Sequence, residues 1–142
     1  MSKMVRATYF LGVLLTASAA TGQQTPAPQT TILNRSSSTI TGQPLALPGP
    51  AVEVVISRTE IPAGGALPMH KHPWPRYAIV ESGRLRVRYE EAGLVREFGP
   101  GEAVIEAIDQ WHEAGVVGPE PVRIIVIDHV PPGQTNLVRR PN

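Results

Sequence analysis

Residues 64–89 read GGALPMHKHPWPRYAIVESGRLRVRY, a segment that carries two signals end to end. In its second half, Arg84-Leu85-Arg86-Val87-Arg88-Tyr89, arginine alternates strictly with an apolar side chain. A period of two is that of a strand, so Leu85, Val87 and Tyr89 share one face while the arginines face water. The first half carries His70 and His72. On a strand that spacing puts both imidazoles on one face, about 7 Å apart at Cα, where they can share one metal ion. The Pro-rich surroundings leave a second reading open, two surface histidines in a loop.

Outward from this segment the pattern continues as short strands cut by glycine and proline. Glu90-Glu91-Ala92-Gly93 makes a turn, and Leu94 to Phe98 is the return strand of a hairpin. After the Gly99-Pro100-Gly101 break, Ala103 to Ile108 reads as a strand. Val122 to Asp128 is a continuous apolar run, as expected for a strand buried on both faces. Upstream, Val52, Val54 and Ile56 alternate with Glu53 and Ser57. Pro62, Pro68, Pro73, Pro75, Pro119 and Pro121 fall between the runs, where no ladder hydrogen bond is required. No helical period reaches three turns beyond the N-terminal segment, and no repeat occurs at solenoid periods. Short strands at this spacing predict an all-β sandwich or barrel.

The histidines supply the chemistry. Gly64, five residues, His70, one residue, His72, then ten residues and Gly83 form the skeleton of a first cupin motif. Gly101, Ala107, Asp109 and His112 hold the glycine, proline, glycine and histidine places of the second motif at its spacing. From about Val52 to Val130 the chain therefore resembles the cupin superfamily. The resemblance implies a single-domain, double-stranded β-helix, or jelly-roll barrel, with a metal in its mouth held by His70, His72 and His112. Imidazole suits several divalent transition metals, so iron, zinc, manganese, nickel and copper all remain open.

The departures from the family pattern carry as much chemistry as the matches. The place of the usual metal-binding glutamate, four residues after His72, is Arg76, which offers only donors and stays charged. A guanidinium about 6 Å from a divalent ion would cost on the order of 5 kcal/mol at an effective dielectric of about 20. Three resolutions follow: Arg76 swings out, a substrate carboxylate sits between it and the metal, or the site holds no metal. Glu106 is a candidate fourth ligand, on the same side of its strand as Val104; a strand arginine is the competing partner for it. Arg76, Trp74, Tyr77 and Trp111 flank the histidines and are candidate substrate-binding residues, although barrel mouths also bury aromatics for packing alone. His129 follows the last strand and matches no ligand place. Asp109 either orients a histidine or serves a turn.

The termini read differently. Residues 1–22, with Lys3 and Arg6 before a short apolar run and the small-residue sequence Ala17-Ser18-Ala19-Ala20, read as a secretory signal peptide. Export to the periplasm or the extracellular space follows. Residues 23–38 read as a flexible linker, 39–133 as the barrel, and 134–142 as a disordered tail. The absence of cysteine excludes disulfides and thiolate ligands. Losing Lys3 and Arg6 takes the formal charge from +1 to −1, since eleven basic residues then face twelve acidic ones. A near-neutral chain offers no electrostatic footprint for nucleic acid or, after signal cleavage, for a membrane surface. Three classes of function remain: a metal-dependent enzyme on a small molecule, such as a dioxygenase or an isomerase; a non-catalytic ligand-binding cupin with an incomplete metal site; and a scaffold cupin acting through a homodimer. The lack of a second carboxylate beside the histidines weakens glycosidase-like acid/base chemistry.

Overall fold

A computed structural model of the protein describes residues 27–141. The segment read as a signal peptide, linker residues 23–26 and Asn142 lie outside the described residues. From residue 31 onward the chain forms one compact unit. It contains β1 (Glu53–Ile61), β2 (Ala66–Lys71), β3 (Arg76–Ser82), β4 (Leu85–Tyr89), β5 (Leu94–Phe98), β6 (Ala103–Ile105), β7 (His112–Val116), β8 (Val122–Val130) and β9 (Val138–Arg139). No helix occurs among the described residues.

Two antiparallel sheets face each other. One has the order β1-β8-β3-β6 and the other β5-β4-β7-β2-β9. Only the β4–β5 hairpin joins neighbours within one sheet; every other connection crosses to the opposite sheet. This is the double-stranded β-helix expected. The alternation in Arg84–Tyr89 produces it locally: Leu85, Val87 and Tyr89 are buried, while Arg86 and Arg88 are exposed and pair with Glu97 and Glu113. Val80, Phe98, Val104, Ala114, Ile124 and Val126 fill the space between the sheets. Burying each of these valine, isoleucine and phenylalanine side chains contributes roughly 1.5–3 kcal/mol. Gly83 makes the β3–β4 turn at φ 75°, where a Cβ would collide with the Pro121 carbonyl oxygen.

Several expectations are corrected. β8 is buried on one face: Val122, Ile124 and Val126 point inward, whereas Arg123 is exposed and Ile125 and Ile127 are half-buried. A continuous apolar run marks a strand covered on both sides only when a second layer covers it, and here the outer layer is partial. β6 ends at Ile105, short of the Ile108 expected. Pro68 lies inside β2, at the register shift between Leu67 and His70, where a bulge removes the need for its missing N–H. His129 lies within β8 and stacks edge-on against Tyr77 at 5.3 Å. The segment 134–141, expected as a disordered tail, is laid along β2 through β9, with Asn136 buried. Its polar composition hid the point that backbone pairing and one asparagine anchor it. Within the expected linker, the Asn34 side chain donates to the Ala103 carbonyl at 3.0 Å.

Candidate metal centre

Strand register builds the site. His70 of β2 is the cross-strand partner of His112 of β7, which in turn faces Tyr89 of β4. Directly opposed residues share a face of the sheet, so His70, His112 and Tyr89 form an inward row. His72 stands just beyond the end of β2 and turns toward the same point. Ring centroids lie 4.4 Å apart for His70 and His112, and 4.9 Å for His72 with either of them. One nitrogen from each ring lies within 4.8 Å of the others. The convergence of His112 with the other two, on which the expected site depends, is therefore present.

The second nitrogen of each ring fixes which atom faces inward. His70 Nδ1 bonds the Pro68 carbonyl at 2.7 Å, His72 Nδ1 the Asn136 carbonyl at 2.6 Å, and His112 Nδ1 the Gln110 carbonyl at 2.9 Å. A carbonyl can only accept, so each neutral ring carries its proton on Nδ1 and presents an Nε2 lone pair. Three buried imidazoles in this tautomer, each oriented by an outer hydrogen bond, are the donor set a divalent transition metal requires. Burial, together with the neighbouring Arg76 and His112, pushes His72 down to about 2. Burial, with His112 next, pushes His70 down to about 4. His70 and His72 are thus held in the uncharged form that ligates.

Arg76 points into the cavity. Its Nε and Nη2 donate to the two carboxylate oxygens of Asp128, each at 2.7 Å, and its Nη1 donates to His72 Nε2 at 3.2 Å. The first two expected resolutions do not describe it: the guanidinium neither leaves nor awaits an anion, because Asp128, buried on β8, already offsets its charge. The pair also uses the one lone pair of His72 that a metal would need. His70 and His112 keep theirs free among the described residues. The donor set fits a metal, provided Arg76 yields one weak hydrogen bond.

Asn136 ties this arrangement together. Beyond accepting from His72, it donates to Asp128 at 2.7 Å and to the Trp74 carbonyl at 3.0 Å, and its side-chain oxygen accepts from Trp74 N. Sequence reasoning missed it, because an asparagine in a polar terminal segment carries no periodic signal. Asp128 was missed as well, hidden as the polar end of an apolar run.

The other expected residues separate. Glu106 is buried and lines the same cavity, but it bonds the Tyr89 hydroxyl at 2.7 Å and lies outside the nitrogen cluster. Its partner is Tyr89 and not a strand arginine, and burial holds that phenol well above its usual range. Tyr77 lies on the outer face against His129, so it does not wall the cavity. Trp74 contributes backbone bonds to Asn136 and does not line the cavity. The Trp111 ring packs outside it, under Lys71 Nζ at 5.1 Å and Arg140 at 4.6 Å. Asp109 orients no histidine. It takes the left-handed turn conformation at φ 54°, its N–H donates to the His72 carbonyl, and its carboxylate pairs with Lys71 at 2.6 Å. The cavity itself is about 40 Å³, room for an ion and a water-sized ligand.

The chain belongs to the cupin family: a family model described as a cupin domain matches residues 57–128. Solved structures agree on the fold. The DMSP lyase DddQ from Ruegeria pomeroyi is 22% identical, with 61% of this chain and 42% of that one covered, at a TM-score of 0.53. The oxalate decarboxylase of Lactobacillus farciminis, in its formate complex, is 22% identical over 61% of this chain and 26% of that one, at 0.52. The polyketide cyclase RemF from Streptomyces resistomycificus is 23% identical over 78% and 80%, at 0.52. The matched region thus spans less than half the length of the first two. A search of curated proteins returned no match.

Proposed function

We propose that the mature chain is an exported cupin, of the periplasm or the extracellular space, that holds one divalent transition metal on His70, His72 and His112 and recognises a small, carboxylate-bearing molecule beside it. The observation that carries this reading is the shared tautomer: three Nδ1–H groups fastened to carbonyls turn three Nε2 atoms toward one point, two of them free and the third in a weak bond from Arg76. When bound, the metal supplies Lewis acidity with coordination positions left open to a small molecule. The chain's own residues orient the rings, exclude bulk water and hold the partly buried Arg76–Asp128 pair beside them. Turnover as a dioxygenase or an isomerase belongs to this reading. The lyase, decarboxylase and cyclase among the similar structures differ too much in chemistry to choose a reaction, and fold does not imply function.

A second reading is a ligand-binding or scaffold cupin without turnover. It is favoured by the Arg76 Nη1 bond to His72, which fills one ligand position from within. In that reading a homodimer would find apolar surface on the outer face of β1, where Val54 and Ile56 are exposed. Elemental analysis separates the two. Mature protein purified without a polyhistidine tag is expected to carry about one equivalent of a transition metal, and His70→Ala negligible amounts. Equally negligible metal in both would remove the metal reading. Oxygen uptake with small carboxylates then tests turnover of the loaded protein.

A further inference from the structure

The cavity at the histidines is too small for an organic substrate, but a second space adjoins it. β1 and β9 are the unpaired edges of the two sheets on the same side of the barrel, and β9 is only two residues long. The sheets therefore do not close there, and a cleft of about 290 Å³ remains. Thr59 of β1, Ile124 and Val126 of β8, and Leu137 and Arg139 of the C-terminal segment line it. It shares Leu67, His70, Arg76, Ile124 and Val126 with the metal cavity, so the two spaces meet along that wall.

Its chemistry is specific. Arg76 is already neutralised by Asp128. Arg140 pairs with Glu90, whereas Arg139 makes no ion pair or side-chain hydrogen bond among the described residues. Arg139 is the cross-strand partner of His70, so the two side chains share a face of the sheet. The cleft thus holds one uncompensated positive charge at one wall. Ile124 and Val126, both core residues that are almost fully buried, form its floor, and Leu137, left 42% exposed, adds an apolar side chain open to solvent. Its volume lies at the small end of the range for metabolite sites, roughly 300–1,000 Å³.

We propose that this cleft binds a small monocarboxylate with a short hydrocarbon body, its carboxylate on Arg139 and its body against Ile124, Val126 and Leu137. A single free guanidinium matches one negative charge, and its fork suits a planar carboxylate. A doubly charged phosphate would leave one charge unmatched against an apolar wall. The proposal deepens the reading of the histidines as a metal site, and it rests on that reading only for what the bound molecule would lie next to.

Isothermal titration of hexanoate, with hexylamine as the control of equal length, tests it on the mature chain in chelator-treated and zinc-loaded forms. Saturable hexanoate binding is expected, with hexylamine failing to compete. Arg139→Gln is expected to weaken it about ten-fold or more, and Arg139→Lys to recover part of the loss. Leu137→Glu, at an exposed position where the fold does not depend on the side chain, is expected to abolish it. No saturable binding, or equal affinity in Arg139→Gln, overturns the proposal. Zinc uptake that depends on His70 without hexanoate binding would sink the carboxylate site alone. Arg139-dependent hexanoate binding to protein that takes up no zinc would uphold it while the metal reading fell.

Discussion

A single substitution against the family pattern reorganises the centre of this barrel. Arginine at position 76 could not be accommodated alone: a buried guanidinium without a counter-charge is costly, and breaking such a pair costs about 3–5 kcal/mol. Asp128, its neighbour across the β3–β8 ladder, supplies the charge through a bidentate bond. Arg76→Glu alone would set two buried carboxylates against each other, and it is expected to lower stability by about that amount in chemical denaturation. The pair Arg76→Glu with Asp128→Asn removes both the cation and the clash. It is expected to bind zinc roughly ten-fold or more tightly than the wild type in competition with a fluorescent chelator. Asn136 acts on the same site from behind His72. Asn136→Ala releases the bonds to Asp128 and Trp74, and it is expected to weaken zinc affinity about 10- to 100-fold in the same assay. An unchanged affinity would show that the C-terminal segment merely covers the site.

Among the elements, the strands most legible in the sequence are those whose alternation is complete. β4 shows it best: two arginines alternating with three apolar residues allow one register only, and the structure adopts it. β6 was overestimated because Ala103–Ile108 is apolar throughout except at Glu106, and apolarity does not say where pairing with β3 stops. β9 left no trace, since two residues of edge strand are too few to show a period. The connection between β3 and β4 is set by steric necessity at Gly83. Gly83→Ala must take a left-handed conformation and also meets the Pro121 carbonyl, so it is expected to cost roughly 2 kcal/mol or more. Gly93→Ala, at φ 59° with open space around it, should cost only the conformational part, about 1 kcal/mol. Thermal melts of the two variants side by side would sink this account if their losses were equal.

Across the whole molecule, the site loads the fold with an acid sensitivity. His70 and His72 are neutral in the folded chain, one lowered to about 4 and the other to about 2, while in the unfolded chain both protonate near 6.5. The unfolded state therefore binds more protons below pH 6.5, and stability falls as the pH drops from there toward 4. Above pH 6.5 neither ring contributes a pH dependence. At pH 5 each ring costs about 2 kcal/mol relative to pH 7. Urea midpoints of the metal-free protein are expected to fall over that interval, and the fall should shrink in His70→Ala. A flat profile between pH 7 and 5 would mean that the rings are protonated in the fold. Metal binds only the deprotonated folded site, so zinc should raise the midpoint at pH 7 and lose its effect in the same window.

The amino-acid order alone determined an all-β chain of short strands, through a period of two along each strand and glycines at turns. The double-stranded β-helix and the meeting of His112 with His70 and His72 were implied by glycine and histidine spacings that resemble the cupin motifs. What only the tertiary structure decided is what surrounds those rings. Arg76 meets Asp128 across 52 residues of chain, and His72 meets Asn136 across 64. Glu106 found Tyr89 instead of an arginine, and Tyr77 fell on the outer face because alternation placed Arg76 on the inner one. Such pairings depend on which strands lie side by side, and local periodicity holds no information about neighbours that the sheets bring together from distant positions.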